Sequence, residues 1–228
     1  MQAVQHWGRQ ALAICAKDMR IEFRERTAVS AVLLFAVTSL VVVGFALSGE
    51  ALEPDVAVPL LWVVLFFAAF SGLAHVFTEE EEGATAMALQ MAADAGAVYG
   101  GKLLYNACLL GAVACVAVPL FLAVTGMPVP QVGRFVAVIS SGCAALAAAA
   151  TITAAIIAKA RARGALFGAL GFPVVLPLLI MAVVATRHAL APGAAEWSWS
   201  RDVGGLLSYG VMMVSASALV FPVVWEAA

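Results

Sequence analysis

Leu103 to Thr125 reads LLYNACLLGAVACVAVPLFLAVT, a stretch without one charged side chain. A hydrocarbon core of about 30 Å is crossed by about 20 helical residues, so this segment is long enough to span a bilayer. Working outward, five more stretches qualify: roughly 28–47 and 56–77 before it, and 132–158, 165–186 and 203–225 after it. None alternates polar and apolar residues as a membrane strand would. In lipid every backbone amide and carbonyl needs an internal partner, and a helix supplies it. The sequence therefore predicts an all-α polytopic membrane protein of six transmembrane helices, forming a single domain over 1–228. Composition agrees: 64% of residues are hydrophobic and 11% charged, far from soluble averages.

The basic residues set the orientation. Arg9, Lys17, Arg20, Arg24, Arg26, Lys102, Lys159, Arg161 and Arg163 share one face of the six-span scheme, and only Arg134, Arg187 and Arg201 fall opposite. Positive segments stay cytoplasmic, which predicts both termini inside a bacterial inner membrane. The basic loop 159–164 fits this scheme and attracts anionic lipid. The first span starts too late, and runs too long, for a cleavable signal. No basic stripe with interleaved aromatics suggests nucleic acid.

Residues 5–26 read as an N-terminal amphipathic elbow helix. Leu12, Cys15, Met19 and Phe23 form one stripe; Arg9, Lys17, Arg20 and Arg24 crowd the other side with Asp18 and Glu25. Such a helix lies in the membrane interface, either as a plain anchor or also touching a partner. After the second span comes the longest inner loop. It opens with Glu79-Glu80-Glu81-Glu82-Gly83, continues through Met87, Leu89 and Met91, and ends at Tyr99-Gly100-Gly101-Lys102. Acids favour a helix start, and apolar residues at helical spacing behind them suit a groove on a partner. Residues 79–94 are thus a candidate cytoplasmic coupling helix, and a solvated cap is the competing reading. Gly96, Gly101 and Lys102 match the spacing of a phosphate loop, but Leu103 stands where its hydroxyl residue belongs and no strand precedes it. Lys102 reads instead as the inner boundary of the third span.

Within the spans Asp and Glu are absent from the middle, which argues against an ion or proton path. Ser140, Ser141, Gly142 and Ala147–Ala150 make the fourth span rich in small residues, for packing inside the chain or at a subunit interface. Pro173 and Pro177 interrupt the fifth. The four cysteines, Cys15, Cys108, Cys115 and Cys143, form no CxxC pattern and read as small packing residues. His75 reads as a packing or capping residue. His188 lies at the outer end of the fifth span, and the loop beyond carries Trp197 and Trp199. Tryptophan there suits an interfacial belt; a histidine beside it can also be an axial ligand to haem. No firmly bound cofactor is expected, only transient haem at His188, Trp197 and Trp199.

The run His75-Val76-Phe77-Thr78-Glu79-Glu80-Glu81-Glu82-Gly83, followed by Tyr99-Gly100-Gly101-Lys102-Leu103-Leu104-Tyr105-Asn106, resembles the CcmB family of haem exporter permeases in cytochrome c maturation. Lys17-Asp18-Met19-Arg20-Ile21-Glu22-Phe23-Arg24, and Phe172-Pro173 with Pro177, resemble it too. The resemblance covers nearly the whole chain. It implies a non-catalytic permease subunit of an ATP-binding-cassette (ABC) transporter complex, and a homodimer within it. A cytoplasmic ATPase, a haem-handling membrane subunit and a periplasmic haem chaperone would be its partners. The candidate coupling set is then Glu79, Glu80, Glu81, Glu82, Gly83, Met87, Tyr99, Gly101 and Lys102. Other readings are an exporter permease for a lipid, glycan or drug, and a non-transport scaffold or haem-binding protein.

Overall fold

A computed structural model of the chain describes residues 2–47, 52–73, 86–158, 163–191 and 196–226. Among them are eight helices: α1 (Gln2–Glu25), α2 (Thr27–Leu47), α3 (Pro54–Leu73), α4 (Ala86–Ala92), α5 (Ala95–Thr125), α6 (Val132–Ala158), α7 (Arg163–Leu190) and α8 (Glu196–Glu226). Six of them, α2, α3 and α5 to α8, are long and apolar enough to cross a membrane. The fold is the all-helical, multi-pass one that the apolar runs predict.

The break between α1 and α2 is one residue wide. Arg26 has φ 56°, a left-handed conformation that ends a helix. Its amide still reaches the Glu22 carbonyl at 2.6 Å, closing the last turn of α1. The Glu22 side chain then accepts the Val29 amide at 2.7 Å. First-turn amides have no partner inside their own helix, so a residue of α1 caps α2 and fixes the elbow.

Three helices run further than the apolar stretches alone suggest. The third span's helix begins at Ala95, about two turns before Leu103, with Asp94 at its N-cap position and Gly126 (φ 65°) closing it. Tyr99, Gly101 and Lys102 therefore lie within α5 and not at its edge. His188 sits in the last turn of α7, and Trp197 and Trp199 open α8, so the loop expected around them is helix. Polar residues extend a helix readily once its ends pack on neighbours; hydropathy registers only the lipid-facing part.

Helix α6 is the centre of the bundle and touches α3, α5, α7 and α8. Its small side chains explain this position. Ala145 to Ala150 are all buried, and a Cβ on Gly210 of α8 would stand 3.5 Å from the Ala145 methyl. Trp62 of α3 lies over Gly142 of α6 and donates its indole N–H to Thr186 of α7 at 2.9 Å. The small-residue run thus serves packing inside the chain, where close backbone approach maximises dispersion contacts. Between Pro173 and Pro177, the Val174 carbonyl accepts the Tyr209 hydroxyl of α8, a tie suited to a proline-interrupted helix.

Candidate functional site

Two polar sites stand at opposite ends of the bundle. The first is where α1 crosses α5. The crossing is close because α5 presents glycine there: a Cβ on Gly101 would lie 2.7 Å from the Ala11 carbonyl oxygen and 2.8 Å from the Ile14 side chain. One turn earlier, Trp7 covers Gly100. The stripe that α1 turns toward the bundle is Ala11, Ile14, Asp18 and Glu22, all buried. Leu12 and Phe23 from the expected apolar stripe point away from the bundle, exposed at 62% and 73%. Asp18 does not belong to a solvated face, as the amphipathic reading has it; it faces α5.

There it meets Lys102, whose Nζ lies 3.1 Å from Asp18 Oδ2. Lys102 is 1% exposed, so its ammonium is an interior group of the bundle. The contact is a charge pair more than an aligned hydrogen bond. Lys17 approaches the other carboxylate oxygen from the surface at 3.2 Å. One turn further along both helices, Tyr105 donates a long 3.4 Å hydrogen bond to Glu22 Oε2. Asn106 next to it donates to Thr151 of α6 at 2.8 Å. Burial raises the pKa of the Cys15 thiol above its ordinary value, and the neighbouring Cys108 and Asp18 add to this.

Asp18, Glu22, Tyr105 and Asn106 lay inside the sequence motifs, but nothing marked them as one site. The signal was their spacing. Asp18 and Glu22 are four apart, and Lys102, Tyr105 and Asn106 follow at three and four, so each set lines one helix face. Pairing the two faces required the crossing at Gly101. The same crossing shows that Gly96 to Lys102 is a helix–helix contact and not a phosphate loop: the stretch is helical, and α1 fills the space over its glycines.

Of the other candidate coupling residues, Glu79 to Gly83 fall outside the described residues. Met87 and Met91 on α4 are 70% and 81% exposed. Leu89, between them, packs toward a small cluster built by Ile14, Val98, Tyr99, Phe221 and Trp225. Tyr99 packs tilted against Phe221, with ring centroids 5.4 Å apart. Tyr99, Gly101 and Lys102 are thus packed against α1 and α8. Two residues, Ala93 and Asp94, join α4 to α5. The Asp94 carbonyl accepts the amides of Ala97 and Val98 at 2.9 and 3.0 Å.

At the opposite end, His188 Nδ1 lies 2.7 Å from Asp202 Oδ2, across the α7–α8 junction. The imidazole is half exposed, and the carboxylate is largely buried. Beside it Arg187 donates to the Asp55 carbonyl of α3 at 2.8 Å. Trp197 and Trp199 occupy the first turn of α8; their side chains fall outside the described residues. Among the described residues no group of three or more His, Cys, Asp or Glu side chains could hold a metal ion. A carboxylate on one ring nitrogen fixes the tautomer and the ring orientation. Asp202 was the partner that sequence reading missed.

The family model described as CcmB protein matches residues 9–223. No curated protein matches the chain. The matched region takes in the α1–α5 joint, α4 and the His188–Asp202 pair.

Proposed function

The chain belongs to the CcmB family of haem exporter proteins in cytochrome c maturation, and from that premise we propose that it is the membrane half that couples a separate ATPase to haem delivery or chaperone release. The observation that carries this reading is α4: a short helix with two exposed methionines, joined to a membrane-long helix by two residues. Flexible methionines suit a partner's groove. The acids Glu79 to Glu82 just before them can register a basic partner surface, steering docking more than adding affinity. Such docking requires α4, the termini and the nine basic residues that share their face to lie on the cytoplasmic side of the inner membrane. As one half of a two-half machine the chain works as a dimer, beside a haem-handling subunit and a periplasmic chaperone.

The test is a pull-down with an ATPase assay on Met87→Asp/Met91→Asp and on Glu80→Lys/Glu81→Lys. Both variants should lose the ATPase subunit, or hydrolyse ATP without maturing c-type cytochromes. Retained partner and normal cytochromes in both would move the docking site elsewhere.

A second role is supported by the His188–Asp202 pair. A lone imidazole cannot hold a bare ion, but it can ligate an iron that brings its own equatorial ligands, as in haem. We propose that His188 contacts haem in transit, with Trp197 and Trp199 beside it and Asp202 orienting the ring. Haemin titration of the purified chain reads this directly. His188→Ala should abolish the axial-histidine spectrum and Asp202→Asn should weaken binding by about tenfold, as losing a metal ligand's outer partner does. Spectra unchanged in both variants would return these residues to the interfacial belt.

A further inference from the structure

Helix α1 is tied to α5 in three ways. Its Ala11 and Ile14 sit on Gly101, its Asp18 pairs with Lys102, and its Glu22 takes both the Tyr105 hydroxyl and the first-turn amide of α2. At the other end of the same stretch, α5 begins two residues after α4. These contacts form one chain of packed and paired groups running from α4 through the start of α5 into α1 and the start of α2.

We infer that Asp18 and Lys102 are positioning residues for coupling: their buried pair makes α1 move with α5 as one body, so that a push on α4 reaches α2. This rests on the permease reading above. The physical reason lies in what sliding would do. A slip of α1 by one turn, about 5.4 Å, would part Lys102 from Asp18, and separating two buried opposite charges is strongly opposed in a membrane protein interior. The outward face of α1, with Leu12 and Phe23, makes no comparable demand, because apolar side chains slide against lipid without losing a partner. Given a moving α5, α1 follows it and not the lipid. Glu22 carries the motion on, since it holds α2's first turn directly. Bistable or rigid elements of this kind are how a small local displacement becomes a shift of whole helices.

The native cysteines offer the test. Cys15 of α1 follows Ile14, which packs on Gly101, and Cys108 of α5 stands one turn past Tyr105, which bonds Glu22, so each helix carries a thiol at the joint. In the complex with its ATPase subunit, with Cys115→Ser and Cys143→Ala as background, a short bifunctional thiol reagent is applied at alkaline pH, where the raised Cys15 thiol ionises. The crosslinking yield is measured with no nucleotide, with ADP and with a non-hydrolysable ATP analogue. With the pair intact, the yield should be the same in all three states, and the crosslinked complex should keep its ATP-dependent activity. In Asp18→Asn/Lys102→Met, which removes both charges of the pair together, the ATPase subunit should stay bound. Cytochrome matured per ATP hydrolysed should then fall about tenfold, a mid-range coupling effect, and the crosslink should restore it. A wild-type yield that changes with nucleotide, a crosslink that stops the wild-type complex, or a double variant that couples normally would each overturn the inference. A wild-type chain that retains no ATP-hydrolysing subunit would overturn the permease reading itself.

Discussion

Breaking the Asp18–Lys102 pair from one side should be far more harmful than removing both charges. Lys102 is 1% exposed and Asp18 8%, so neither is restored to water when its partner goes. Truncating one member of a buried pair costs about 3–5 kcal/mol, while replacing both by groups of similar size is often neutral. In Lys102→Met the Asp18 carboxylate keeps Lys17 at 3.2 Å, a partner 40% exposed and therefore weak, so about 3 kcal/mol is expected. In Asp18→Asn the buried ammonium loses this carboxylate, and about 3–5 kcal/mol is expected. The double variant should lie within about 1 kcal/mol of wild type, giving an interaction energy of roughly −6 to −8 kcal/mol in a double-mutant cycle. A domain of about this size loses roughly 2–4 °C in Tm per kcal/mol. Thermal unfolding in detergent, followed by loss of the monodisperse species, should thus show both single variants falling by about 6 °C or more and the double variant recovering. Additive losses, with the double variant the least stable, would show that the two charges do not depend on each other and would refute the reasoning.

Two further outcomes follow from other parts of the structure. Gly101→Ala places a Cβ 2.7 Å from a backbone oxygen of α1, which cannot yield as a side-chain tip can; about 1–3 kcal/mol of stability should be lost, together with proteolytic protection of α1, while Gly111→Ala, facing open space, should be silent. Reporter fusions at Glu53 and Gly193 should read periplasmic and one at Arg161 cytoplasmic, as the Lys and Arg distribution requires; a cytoplasmic signal at Gly193 would break the six-span topology.

What was legible from the linear chain was whatever depends on the solvent. Six long apolar runs had to become helices because lipid offers the backbone no partner, and α2, α3 and α5 to α8 stand where those runs lie. The first helix was expected over residues 5–26; it runs Gln2–Glu25 and ends in a left-handed turn at Arg26. The acidic run and the tyrosine–lysine motif carried the family resemblance, which the match over residues 9–223 bears out. The role of Lys102 was not legible. A basic residue at the foot of an apolar run reads as a boundary by hydropathy, since nothing local tells a solvated ammonium from a paired one. Only the crossing of α1 over Gly101, which joins positions more than 80 residues apart in sequence, brings Asp18 to Lys102 and Glu22 to Tyr105. The same holds at the far end: His188 was picked from its neighbours along the chain, but Asp202 reached it only when α8 turned back against α7. Burial of charge is a property of helix pairs and not of helices. The sequence determines which segments enter the membrane, and the tertiary structure decides which of their charges face one another.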